Sequence, residues 1–168
     1  IYSLDAMHQL GKMALYEAAL NDAIMLSKNC GNAKKEATAR GHKALYDWLQ
    51  SRHYDAYRQA QIAHKLARAG SSESVKSLAQ FGLAVSLQSQ GRLLEAIDLH
   101  VERASEFDRM PQDKYSTAQV LERVRVYAFA CESLAKNGRF ADAQTHADRG
   151  FALLSENDHR YSRLILLA

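Results

Sequence analysis

Seven histidines (positions 8, 42, 53, 64, 100, 146 and 159) and two cysteines (Cys30 and Cys131) are the residues of this chain best suited to metal ligation or nucleophilic chemistry. A zinc centre needs ligands at short, fixed spacings, such as two His four apart on a helix or two Cys three apart. His42 and Tyr46 stand four apart on one helix face, yet no second His or carboxylate completes a metal pair there. The chain has no His-Glu-x-x-His, no Cys-x-x-Cys and no Gly-rich phosphate loop; Gln80-Phe-Gly-Leu83 and Asn137-Gly-Arg139 lack the spacing. Cys131 falls among small residues on a helix face, where a thiol packs rather than reacts. The carboxylate pairs Glu95/Asp98 and Asp142/Asp148 belong to helix surfaces, where solvated charge is the ordinary arrangement. The sequence therefore predicts a protein that is not an enzyme, with no catalytic residue, no metal and no cofactor.

Composition bounds the rest. A chain of 168 residues is one domain, or at most two very small ones, with room for a sizeable core. Eight Gly and one Pro are too few turn-makers for a many-stranded sandwich or barrel. A formal charge of +3 does not by itself imply nucleic acid or an anionic membrane. Arg123, Arg125, Arg139, Arg149, Arg160 and Arg163, interleaved with Tyr127, Phe129 and Tyr161, make the last third basic. Glu122, Glu132, Asp142, Asp148, Glu156 and Asp158 intersperse them, as on a solvated helix surface, so no direct nucleic-acid binding is expected. Two distant cysteines form no disulfide framework, and reduced, buried thiols fit a cytoplasmic protein. No apolar run is long enough to span a bilayer. A start at Ile1 and an apolar close at Leu164-Ile-Leu-Leu167 mark the chain as a fragment of a longer protein.

Helical periodicity runs throughout. Turn signals at Gly11, Asn29-Cys-Gly-Asn32, Gly70-Ser-Ser-Glu73, Gly91, Asp108-Arg-Met-Pro-Gln-Asp113 and Asn137-Gly138 divide it. Helices are predicted over 2–10, 12–29, 33–50, 53–69, 73–90, 92–108, 113–137 and 140–155, with a ninth beginning near Asp158. Four segments share a pattern that aligns on Gly11, Arg52, Gly91 and Gly138, at spacings of about 41, 39 and 47 residues. The repeats are approximately 1–30, 31–70, 71–110 and 111–156, with the start of a further helix over 157–168. Small residues at Ala84, Ala96, Ala104, Cys131, Ala143 and Ala147 recur where helices must cross closely. The fold expected is an all-α stack of antiparallel helix pairs.

This pattern resembles the tetratricopeptide repeat. The third repeat carries Leu83-Ala84, Leu87, Gly91, Leu93 and Ala96, and the fourth carries Ala130-Cys131, Leu134, Gly138, Phe140 and Ala143. The second is degenerate (Ala44-Leu45, Trp48, Arg52, Tyr54, Tyr57), and the first keeps Gly11 and Met13 with Tyr16 where Ala is usual. The repeats are longer than the usual 34 or so residues and lack the closing Pro. In this they look like those of bacterial regulators: maltose-regulator-type transcription activators, peptide-pheromone receptors and sensor regions ahead of diguanylate cyclases. The resemblance implies a right-handed α-solenoid of about four repeats.

The resemblance further implies a concave groove lined by the first helix of each pair. Its positions here are Asp5, His8 and Gln9, then His42, Tyr46, Leu49 and Gln50. Phe81, Val85, Gln88 and Ser89 follow, and then Arg125, Ala128, Glu132 and Lys136. The residues expected to carry binding are His42, Tyr46, Phe81, Val85, Gln88, Arg125 and Glu132, with a protein or peptide ligand. The Lys and Asn clamp of chaperone-binding members is missing from the matching places. Two alternatives share the fold: a homodimer through terminal helices, Leu164–Leu167 above all, and a small-molecule effector domain.

Overall fold

The computed structural model describes residues 12–68, 72–109 and 117–155. These residues form seven α-helices: α1 (Met13–Asn29), α2 (Ala33–Leu49), α3 (His53–Arg68), α4 (Glu73–Ser89), α5 (Leu93–Arg109), α6 (Thr117–Lys136) and α7 (Phe140–Ser155). No strand occurs among them. Both ends of α1–α5 and α7 agree with the sequence expectation to within one residue. The helices expected over 2–10 and from Asp158 lie outside the described residues, as do Asp5, His8, Gln9 and Leu164–Leu167.

The hairpin turns share one closure. Gly31, Ser51, Gly91 and Gly138 each take a positive φ, the conformation that ends a helix and sends the chain back. The Gly31 and Gly138 amides bond to the carbonyls of Lys28 and Ala135, and the next amides bond five residues back, to Ser27 and Leu134. Ser51 does the same without being glycine: its amide bonds to Trp48 O, and Arg52 N bonds to Asp47 O at 2.8 Å. The residue equivalent to Gly91 and Gly138 is thus Ser51, which corrects the alignment on Arg52 by one position.

The chain divides into two compact units, residues 1–90 and 91–168. In the first, α1 packs on α2, α2 on α3, and α4 on both α2 and α3. Consecutive helices run antiparallel: Tyr16 near the start of α1 meets Tyr46 near the end of α2, and Gln90, just beyond α4, reaches His53 O at the start of α3. Close packing rests on small residues. Ala56, Ala60, Ala63 and Ala67 line the buried side of α3, and Ala37, Ala63, Ala67, Val75 and Ala79 form one cluster.

In the second unit α6 packs on both α5 and α7. Ile97, Leu134 and Ala143 form one cluster with Cys131 beside it; Val120, Val124 and Leu154 form another. Leu134 meets Ala143 near the turn while Val120 meets Leu154 far from it, so α6 and α7 are antiparallel. In each unit consecutive helices pack as in a helical repeat.

Candidate functional site

Among the described residues no group of three or more His, Cys, Asp or Glu is placed to hold a metal ion. No described helix is long and apolar enough to cross a membrane. One concave feature of the first unit is a furrow between α1 and α2, with a volume of about 700 Å³. From α1 it takes Tyr16, Ala19, Leu20, Ala23 and Leu26; from α2 it takes Lys35, Thr38, Ala39 and His42.

The furrow runs along the face of α1 that carries Tyr16, Ala19, Leu20, Ala23 and Leu26, and further apolar residues of α1 lie outside it. Tyr16 and Leu20 turn inward and cluster with Tyr46. Leu15, Met25 and Leu26 are 65, 53 and 58% exposed, more than an amphipathic helix with one covered stripe would leave. Cys30 is exposed at the far end of the furrow. This corrects the expectation of two buried thiols, because position 30 caps the end of α1 instead of facing a helix. Only Cys131 packs, half-buried, and burial beside Glu132 raises its thiol pKa.

At the near end the furrow abuts a charge network. Tyr46 donates its hydroxyl hydrogen to Glu17 Oε2 at 2.9 Å, and Arg52 Nη2 donates to Glu17 Oε1 at 2.8 Å. Lys43 Nζ stands 2.6 Å from Asp47 Oδ1 and 3.2 Å from Glu17 Oε1. The Lys43 ammonium and Arg52 guanidinium both face the Tyr46 ring, at 5.4 and 5.0 Å from its centroid. Burial alone would push the Glu17 carboxyl up; the hydrogen bonds from Tyr46, Arg52 and Lys43 outweigh it and hold the group below its ordinary value. Burial and the Glu17 charge together push the Tyr46 hydroxyl up. Two positive and two negative groups thus close on one another and lock α1, α2 and the α2–α3 turn.

The residues carried over from the family's groove lie in several environments. Tyr46, Phe81 and Val85 are only 3, 6 and 1% exposed, packed inside the first unit. Tyr46 is occupied by Tyr16, Leu20 and Glu17. His42 is half-buried and lines the furrow. Gln88 is half-buried on α4, and its neighbour Ser89 accepts a 2.7 Å hydrogen bond from Trp48 Nε1. In the second unit Arg125 is half-buried on α6, and exposed Glu132 pairs with Lys136 at 2.5 Å.

Two members of the basic, aromatic C-terminal set are also internal. Arg123 lies over the Phe107 ring at 5.0 Å, and Arg103 lies 4.4 Å from the same ring. The buried Tyr127 donates its hydroxyl to Asp108 at 2.6 Å. Neither is placed as a stacking surface for bases. Sequence reading missed the furrow itself. Its signal in α1 was the spacing of Tyr16, Ala19, Leu20, Ala23 and Leu26, three and four apart on one face.

No protein-family model matches this chain, and no curated protein matches it in sequence.

Proposed function

We propose that the chain is a non-enzymatic protein- or peptide-binding module of about four tetratricopeptide-like repeats in a right-handed α-solenoid. In this reading it is the cytoplasmic sensory or scaffolding part of a larger bacterial regulator, of transcription-activator or diguanylate-cyclase type. The binding reading rests on one observation, the open apolar furrow between α1 and α2. A concave apolar surface of this size is the usual form of a ligand site. The repeat reading is supported by the shared turn closure at Gly31, Ser51 and Gly138 and by α4 stacking on both helices of the preceding pair. The fold itself specifies a surface and leaves the ligand open.

Capture from lysate tests it, with the wild-type chain, an Ala23→Arg variant in the furrow and a His42→Ala/Gln88→Ala/Glu132→Ala variant across the family's groove positions. A partner held by the wild type and lost by one variant supports the reading and selects the surface. A chain that retains nothing beyond an unrelated helical protein would overturn it. A second reading, a small apolar effector in the same furrow, is favoured by its volume, which lies in the range of small-molecule sites.

A further inference from the structure

The first unit already shows what such a furrow accepts. The furrow between α2 and α3 is filled by a third helix, α4, which packs on both. Small residues make this contact close. Ala44 and Ala60 are fully buried, and a methyl group at Gly82 of α4 would meet their Cβ atoms at 3.6 and 3.9 Å. Small contact residues allow helix axes to approach to roughly 8–10 Å. The α1/α2 furrow has the same character: Ala19, Ala23 and Ala39 line it, with Leu20 and Leu26 the larger members. From Tyr16 to Cys30 it runs about 21 Å, or roughly four helical turns.

Lys35 is the one charged residue among its described lining residues, and exposed Asp22 stands beside Ala23 outside that lining. Lys28, Lys34 and Lys35 are exposed around the far end, and Lys35 lines the furrow itself. No Asp or Glu is among the described lining residues. Glu36, beside them on α2, is held by Arg40 at 2.7 Å.

We propose that the furrow is the docking site of an amphipathic helix from a protein partner, about four turns long. That helix has apolar residues at i, i+3/i+4 and i+7 and an acidic residue against Lys35. The proposal rests on the binding reading above and assigns its surface and the partner's chemistry. The helix-in-groove mode supplies affinity through the apolar stripe, and the carboxylate fixes which end lies at Lys35.

The test uses the full chain and two fluorescent 15-residue Ala/Leu helical peptides that differ only at one end, three Glu in one and three Lys in the other. Anisotropy titration is expected to show at least tenfold tighter binding of the Glu peptide. Lys35→Glu should reverse the preference, and Ala23→Arg should abolish binding of both while circular dichroism stays unchanged. Equal affinities, binding that survives Ala23→Arg, or no binding of either peptide would overturn the proposal. So would a concentration-dependent doubling of mass that Ala23→Arg removes, which would give the furrow to a second copy. Binding that appears only after removal of residues 1–11 would give it to the chain's own N-terminal residues. If lysate partners are held by the chain and unaffected by Ala23→Arg and Lys35→Glu, this proposal fails while the binding reading survives.

Discussion

Arg52 holds Asp47 twice: its backbone N–H meets the Asp47 carbonyl at 2.8 Å, and its guanidinium meets the Asp47 carboxylate at 2.7 Å. Asp47 is fully buried, and Lys43 Nζ also lies 2.6 Å from its carboxylate. Removing one partner of a buried pair leaves the other charge stranded. Asp47→Ala is expected to cost about 3 kcal/mol in urea denaturation, because buried Lys43 then keeps only its longer contact with Glu17, at 3.2 Å. The exposed pair Lys136–Glu132 serves as the contrast: Glu132→Ala should cost no more than about 0.5 kcal/mol. Similar losses in the two variants would show that the Asp47 network is not a stabilising unit.

Ser51 holds φ at +59° in a position that glycine occupies at Gly31, Gly91 and Gly138. A side chain in that conformation costs roughly 1–2 kcal/mol, part of which glycine returns as unfolded-chain entropy. Ser51→Gly should therefore raise stability by about 0.5–1 kcal/mol, read as a higher melting temperature. An unchanged or lower melting temperature would mean the serine is unstrained there.

Two helix-interior glycines should respond oppositely to alanine. At Gly82 a new methyl meets its nearest neighbour at 3.6 Å, ordinary contact, so Gly82→Ala should gain up to about 1 kcal/mol of helix propensity. At Gly41 the methyl would lie 2.9 Å from Leu78 Cγ, so Leu78 must shift and the gain should vanish or reverse. Equal effects in chemical denaturation would contradict this packing.

His100 is 1% exposed, and burial, assisted by the nearby His146, lowers its pKa from 6.5 to about 3. His146 is lowered too, by burial first and then by Arg149. The sign follows from proton uptake: below about pH 6.5 the unfolded chain binds protons that the folded one refuses. Stability from His100 is therefore complete above that pH and is lost as pH falls toward 3, by up to about 1.4 kcal/mol per unit. His100→Leu should flatten the decline in melting temperature between pH 7 and pH 4.5. An unaltered slope would assign the acid sensitivity to other groups.

The helices were legible because their punctuation is local: glycine at three turns, and apolar periods whose ends the same turns set. Ser51 was not legible, since nothing in a Ser-Arg pair announces a left-handed serine; the hydrogen bonds to Trp48 and Asp47 impose it. Tyr46, Phe81 and Val85 show the limit for the site. Periodicity places them on the inner helices, but whether such a face is open depends on what packs over it, and Tyr46 meets α1 across 29 residues of chain. The furrow follows the same logic in reverse: the face of α1 with Tyr16, Ala19, Leu20, Ala23 and Leu26 is apolar in sequence, but only the packing of α1 on α2 makes a furrow of it.

The hydrogen bond from Trp48 Nε1 to Ser89 Oγ ties the ends of α2 and α4 together within the first unit, and Trp48 is the chain's only tryptophan. Its emission is consequently an optical report on residues 1–90 alone, whereas far-ultraviolet ellipticity counts the helices of both units. Melting curves from the two signals will superimpose if the chain unfolds as one cooperative body and will separate if the units unfold independently. This single indole thus lets unmodified protein reveal how many folding transitions it has.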